Sequence, residues 1–226
     1  MTKLVTSIVA VCAVGLAFAG CPPQNSVRIA EIAEWLHEKP GLGIAPISDR
    51  AVWERLAEAA GAKDVVAKAA RIMKAPVAAT PDELYLEFTK TGNRTHYERA
   101  NGRLNGNLTT LVFAEAFENK GRFLEKIAAY LEAVCAQRSW TLPAHDGKLT
   151  SFNGTPHVDL GSGMKACLLA HLLVILGDRI PSVLRAKVVG EIDRRIFRPY
   201  LKTARDGARK GSQHWWFNAE MNWKNN

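Results

Sequence analysis

From about residue 29 almost to the end of the chain, apolar residues recur at helical spacing rather than at the strict alternation of strands. Ile29, Ile32, Ala33 and Leu36 form a first stripe. Val52, Trp53, Leu56 and Ala60 form a second, stopped by Gly61, and Val65, Val66, Ala69 and Ile72 a third that closes before Pro76. The next helix has a start signal: Thr80 as cap, Pro81 at the first helical position and Glu83 where a capping box places its acid. It carries Leu84, Tyr85 and Phe88 and stops at Gly92. A longer pattern from Thr95 to Glu118 holds Leu104, Leu108, Leu111, Val112 and Phe113. Gly121 breaks it, and Phe123, Leu124, Ile127, Leu131 and Val134 resume the period.

Two further helices are predicted, Leu160 to Leu176 and Ser182 to Leu201, joined at Gly177-Asp178 and Pro181. The first is apolar around much of its circumference, which predicts an inner helix covered on both sides. The predicted class is therefore all-α, built from antiparallel helical hairpins, the unit of bundles, solenoids and (α/α) toroids. No fixed-period repeat is visible. Two polar segments interrupt the helices, Arg138 to Val158 and Thr203 to Gln213, and loops of that length inside a domain are often functional.

The beginning of the chain changes the picture of where the protein acts. Lys3 precedes an uncharged apolar run from Leu4 to Phe18, followed by Ala19 and Gly20, the layout of a signal peptide over residues 1–20. Ala17-Phe18-Ala19 fits a cleavage site, whereas Phe18-Ala19-Gly20-Cys21 resembles a lipobox that would acylate Cys21 and tether the protein to a membrane without a spanning helix. Residues 21–26 then form a linker, and 27–226 one folded domain. Of the four cysteines, Cys135 and Cys167 fall in that domain, where apolar neighbours favour buried free thiols. Neither has the paired spacing of a zinc site, and no metal or cofactor is expected.

The 226 residues carry 47% hydrophobic and 23% charged residues with a formal charge of +8, a composition that excludes extensive disorder. A basic field suits nucleic acid in the cytoplasm; export argues against that partner and toward an acidic polysaccharide, with plain solubility as the alternative. Loop residues supply the candidate chemistry: Trp140, His145 and Asp146 in one polar segment, and His214, Trp215 and Trp216 beyond the other. Adjacent tryptophans cannot both enter one helix stripe, so at least one is free to stack on a sugar face. Arg94 and Arg138 are candidates for pairing with substrate acids.

The ordered set Asp49-Arg50-Ala51-Val52-Trp53, Thr91-Gly92-Asn93-Arg94, Trp140 to Asp146, Val158-Asp159-Leu160, Arg194-Arg195 with Pro199-Tyr200, and His214-Trp215-Trp216 leading to Asn222-Trp223 resembles the exported heparinase II/III-like proteins. The resemblance implies an N-terminal (α/α) toroid, a following β-sandwich, and cleavage of acidic polysaccharide by β-elimination. It makes Asn222 the group that faces the uronic carboxylate, although Met221 and Lys224 stand where that pattern usually has further asparagines. The family's catalytic tyrosine and its β-sandwich would fall downstream of Asn226, so the chain is expected to hold a truncated toroid and to be inactive alone. Tyr85, Tyr97, Tyr130 and Tyr200 are expected to be packing residues. His145 is a second candidate catalytic residue on its loop position alone. Two other readings stand beside this one: a non-catalytic glycan-binding helical lipoprotein, and a toroidal glycoside hydrolase using Glu115 and Asp159.

Overall fold

The computed structural model describes residues 43–59 and 61–210. Every regular element among them is helical: α1 (Arg50–Ala59), α2 (Ala62–Lys74), α3 (Asp82–Thr91), α4 (Thr95–Glu118), α5 (Leu124–Ala136), α6 (Leu160–Leu176), α7 (Ser182–Ile192) and α8 (Arg198–Lys210). Short 3-10 turns occur at Pro143–His145 and Gly177–Arg179, and a π-helical turn at Asp193–Phe197 joins α7 to α8. The periodicity thus predicted the class correctly for these residues. The stripe at 29–36 lies outside them.

α4 is the hub and packs against α1, α2, α3, α5 and α6. Its Leu104, Leu108, Leu111 and Val112 meet Ile127, Leu131 and Val134 of α5 and Leu169, Leu172 and Leu176 of α6 in one core. Gly102 and Gly106 each cost a helix about 1 kcal/mol. Full burial of a leucine contributes about 1.5–3 kcal/mol, so the buried face of α4 readily offsets them. Hairpin α4–α5 lies beside hairpin α6–α7, with α4 against α6 and α5 against α7. A smaller cluster of Tyr85, Tyr97 and Phe152 joins α3 and the start of α4 to the loop after α5.

None of α4, α5 and α6 has a basic residue in its last turn, so their orphan carbonyls need outside donors. Arginines from elsewhere supply them. Arg50 donates to the carbonyls of Ala116 (2.7 Å) and Phe117 (3.1 Å) at the end of α4. Arg195, carried by the π-helical turn, donates to Gln137 (2.7 Å) and Arg138 (3.0 Å) just past α5. Arg185 reaches Leu173 (3.2 Å) and Gly177 at the end of α6, where the Ile47 N–H also donates to the Ile175 carbonyl at 2.7 Å. Each cation also meets the negative end of a helix dipole.

Several expectations are corrected. α3 starts at Asp82 with no side-chain cap, because the Thr80 hydroxyl accepts from Gln137 Nε2 at 2.7 Å. The segment from Thr203 is not a loop: α8 continues the helix to Lys210, and the rest of the expected loop lies outside the described residues. α6 packs through one side against the described residues, while Met164 on its other side is 65% exposed and Cys167 is exposed with it; Cys135 is buried. Both thiols are free. Tyr85, Tyr97 and Tyr130 pack in the interior, while Tyr200 is 47% exposed.

Candidate functional site

The loop between α5 and α6 is fixed from below. Asp146 is buried, and its carboxylate accepts the backbone N–H groups of Ser151 (3.0 Å) and Phe152 (2.9 Å) and the Tyr85 hydroxyl (2.9 Å). Ser139, Thr141 and Ser151 link their hydroxyls beneath the loop at 2.9 Å per contact. Thr141 Oγ1 donates to the His157 carbonyl at 3.0 Å, and His157 Nε2 donates to the His145 carbonyl at 3.1 Å. Gly161 in the first turn of α6 lets the loop lie directly on the helix: a Cβ there would stand 2.5 Å from Leu142 Cγ. A loop satisfied in this way holds its side chains in one arrangement.

Asp159 joins that loop to α6. It is the N-cap of the helix, accepting the Ser162 N–H at 2.8 Å while the Ser162 hydroxyl accepts the Asp159 N–H at 2.9 Å, a reciprocal capping box. Its second oxygen accepts the Leu142 N–H at 3.1 Å and His145 Nδ1 at 2.7 Å. Burial pushes this carboxyl upward, but the hydrogen bonds from His145, the Ser162 and Leu142 amides and the Ser162 hydroxyl outweigh it and hold the group below the ordinary carboxylate range. Asp159 is therefore an anion and His145 Nδ1–H its donor, which places the basic lone pair of the neutral ring on Nε2. The His145 side chain is 19% exposed while that of Asp159 is fully covered. A partly exposed imidazole oriented by a buried carboxylate has the build of a proton-transfer group.

No protein-family model and no characterised protein matches this chain.

Behind the pair lies a buried polar cluster. Lys165 of α6 is 3% exposed and donates from Nζ to Asn101 Oδ1 at 2.7 Å and to Gln137 Oε1. Burial and the nearby Arg195 cation push its pKa down to about 7, against a smaller upward pull from Asp159. Nothing in its sequence context, Gly163-Met164-Lys165-Ala166, marks Lys165 as interior, since lysine on an apolar helix usually reaches solvent.

The remaining candidates separate into three groups. Trp140 is corrected from substrate platform to core residue: it is 2% exposed, its indole N–H donates to the Val134 carbonyl at 3.0 Å, and the Arg195 guanidinium lies 4.9 Å from its ring centroid. Arg138 is exposed beside the same loop, with its guanidinium 4.2 Å from the Phe152 ring and 3.4 Å from Asp82. Arg94 is exposed at the N-cap of α4, 3.5 Å from Glu98. Asn222, His214, Trp215, Trp216 and Cys21 lie outside the described residues.

Glu115 is buried and committed to the turn after α4, accepting the N–H groups of Gly121 and Phe123, with Arg179 at 3.6 Å. This use leaves it with a structural part and removes the support for a Glu115–Asp159 carboxylate pair. Burial also raises the pKa values of Tyr85 and Tyr97 well above the ordinary phenol value, so neither is tuned to act as a base. Among the described residues no cluster of three or more His, Cys, Asp and Glu side chains is placed to hold a metal ion.

Proposed function

We propose that this chain belongs to an exported polysaccharide lyase that cleaves uronic-acid-containing polysaccharide by β-elimination, with its hairpins forming part of an (α/α) toroid. The observation that carries the reading is the 2.7 Å contact of His145 Nδ1 with the buried Asp159 carboxylate, on a loop held rigidly against α6. In the reaction the C5 proton passes to a base, its electron pair forms the C4–C5 double bond, and the C4–O bond breaks as the leaving oxygen takes a proton from an acid. His145 Nε2 suits either proton transfer, and Asp159 steadies the imidazolium that the first produces. Asn222 would neutralise the uronate carboxylate, and Arg138, exposed at the same loop, would hold a neighbouring acidic group. The signal-like residues 1–20 and the net charge of +8 agree with an exported protein meeting a polyanion.

The test is formation of the ultraviolet-absorbing unsaturated uronate from heparan, chondroitin and alginate-type substrates. It is run on this chain and on a form extended by the β-sandwich that the resemblance implies. In the active form His145→Ala is expected to lower kcat by about 10²–10⁴-fold, the usual contribution of a positioned acid or base. Undiminished turnover by His145→Ala would remove the histidine from the mechanism. Binding of these glycans without product from either form would favour the non-catalytic glycan-binding alternative.

A further inference from the structure

One side of α6 gathers three soft donor groups. The chain has four methionines, four cysteines and six histidines. One of each, Met164, Cys167 and His171, falls on α6 at spacings of three and four, which puts the three on the same side of the helix. Met164 is 65% exposed, Cys167 is exposed and His171 is half-exposed. The opposite side, through Ala166, Leu169, Leu172 and Leu176, packs in the core and fixes the helix that carries them.

Cys167 Sγ stands 3.9 Å from both Nδ1 and Nε2 of His171. A thiol is a weak hydrogen-bond donor, so this contact leaves both groups available to another partner. With bonds of about 2.3 Å to sulfur and about 2.0–2.1 Å to nitrogen, the two donor atoms of one zinc-sized ion lie about 3.6 Å apart in tetrahedral and about 3.8 Å apart in trigonal coordination. The pair is thus already spread for a three-coordinate ion. Helical side chains lean toward the N-terminus, which carries His171 back over Cys167. Met164 stands one turn before the pair, and its three rotatable bonds and its exposure leave it free to turn its thioether onto the same ion.

We infer that Met164, Cys167 and His171 form a binding site for copper(I), held by two sulfurs and one ring nitrogen. Thiolate and thioether together select a soft ion, whereas magnesium and calcium require oxygen donors. Zinc would use the thiolate and the imidazole, but it ordinarily takes four donors. Because its third donor is methionine, the site falls outside the His, Cys, Asp and Glu clusters, none of which is placed for a metal among the described residues. Binding releases the Cys167 thiol proton to solvent and changes no oxidation state, so the copper(I) thiolate is neutral beside an apolar helix. Cys135 is a poor rival, because it is buried and burial pushes its thiol up to about 11. The inference stands apart from the function proposed above.

The test uses the full chain with Cys12 and Cys21 replaced by alanine, reduced and under argon. Copper(I) binding is measured by competition against the chromophoric chelator bicinchoninate, and one ion per chain is expected. Cys167→Ser and His171→Gln should each weaken binding at least about 10²-fold and Met164→Leu about tenfold, the scale on which linked donors add to affinity. X-ray absorption at the copper edge should show two sulfurs and one nitrogen, with one sulfur fewer in Met164→Leu. Circular dichroism should show parental helix content in all three variants, since none of these side chains is buried. Unchanged affinity in Met164→Leu would reduce the site to a thiol–imidazole pair and overturn the inference. So would binding that survives Cys167→Ser, a copper shared between two chains, displacement of copper(I) by equimolar zinc(II), or no binding by the parent.

Discussion

Arg195→Met removes the guanidinium that closes α5 and leaves an apolar side chain of similar reach. In the native protein Arg195 is 5% exposed; it donates to the carbonyls of Gln137 at 2.7 Å and Arg138 at 3.0 Å and pairs with Glu191 at 2.6 Å. Hydrogen bonds from a charged donor contribute about 1.5–3 kcal/mol each, so the two carbonyl contacts together set a loss of about 3–6 kcal/mol. The desolvation that the methionine avoids brings the expected figure to about 3–4 kcal/mol. For a domain of this size that is a fall in Tm of roughly 6–16 °C, read by far-ultraviolet circular dichroism and checked by urea denaturation. Arg195→Lys keeps the charge but offers a compact ammonium that cannot span two carbonyls and a carboxylate, and it should recover less than half of the loss. Glu191 is half-exposed and shared with Arg194, so Glu191→Gln should cost only about 1 kcal/mol. If Arg195→Met melts within about 1 kcal/mol of the parent, or Glu191→Gln costs as much as it does, the helix-end account of Arg195 is wrong.

Gly161→Ala places a methyl 2.5 Å from Leu142 Cγ and should destabilise by about 1–3 kcal/mol, most of it recovered in the Gly161→Ala/Leu142→Ala double variant; additive losses in denaturant melts would contradict the close approach. Because the folded carboxyl of Asp159 is held below its unfolded value, its contribution is complete above about pH 4 and is lost as pH falls through the lower folded value. Asp159→Asn should flatten that acid limb in urea titrations, and an unchanged limb would assign it to other carboxylates. Lys165 has the opposite sense: its pKa is pushed down to about 7, so the unfolded chain binds the extra proton between pH 7 and the ordinary lysine value. Stability should therefore rise with pH across that window, and Lys165→Met should remove the rise. A slope that persists in Lys165→Met would place its source elsewhere.

The helices were legible because each buries one face, and burial writes its period into the sequence. Leu104, Leu108, Leu111 and Val112 have no exposure above 1%, and their spacing alone predicted α4. What the period does not report is what lies against the other face. α6 reads as apolar all round, yet Met164 and Cys167 on one side of it are exposed, because the sequence records that a face is apolar and not what covers it. The extension of α8 past Thr203 was missed because the run Thr203-Ala204-Arg205-Asp206-Gly207-Ala208-Arg209-Lys210 has no large apolar residue, so apolar spacing could not report its helix. Trp140 was misread for a related reason. It lies in a polar segment, but its ring is directed inward by an indole bond to Val134, a contact between residues on either side of the α5 terminus that no local pattern encodes. His145 was legible as a candidate and Asp159 as part of a motif. Their pairing was not, since it depends on a loop that returns fourteen positions later to the start of α6.

The basic composition also needs a different interpretation. A charge of +8, together with the signal-like start of the chain, suggested a surface arranged for a polyanion, as though every excess cation faced solvent. Arg50, Arg185 and Arg195 instead close the ends of α4, α6 and α5, and Lys165 is buried against Asn101 and Gln137. The three arginines answer the dipoles of helices that lack basic residues in their own last turns, a requirement of the fold that holds for any substrate. Arg138, by contrast, is exposed next to the loop that carries His145, where its guanidinium lies over the Phe152 ring and its ion-pair partner among the described residues is a surface aspartate at 3.4 Å. Such a pair contributes about 0–1 kcal/mol and is readily exchanged for a substrate acid. Arg138→Gln should thus leave the melting curve nearly unchanged while weakening the binding of acidic glycans and reducing its salt dependence. Arg50→Gln should do the reverse, lowering Tm with little direct effect on the salt dependence of binding. If both variants alter stability and binding in parallel, the division between cations that close helices and cations that face the ligand does not hold.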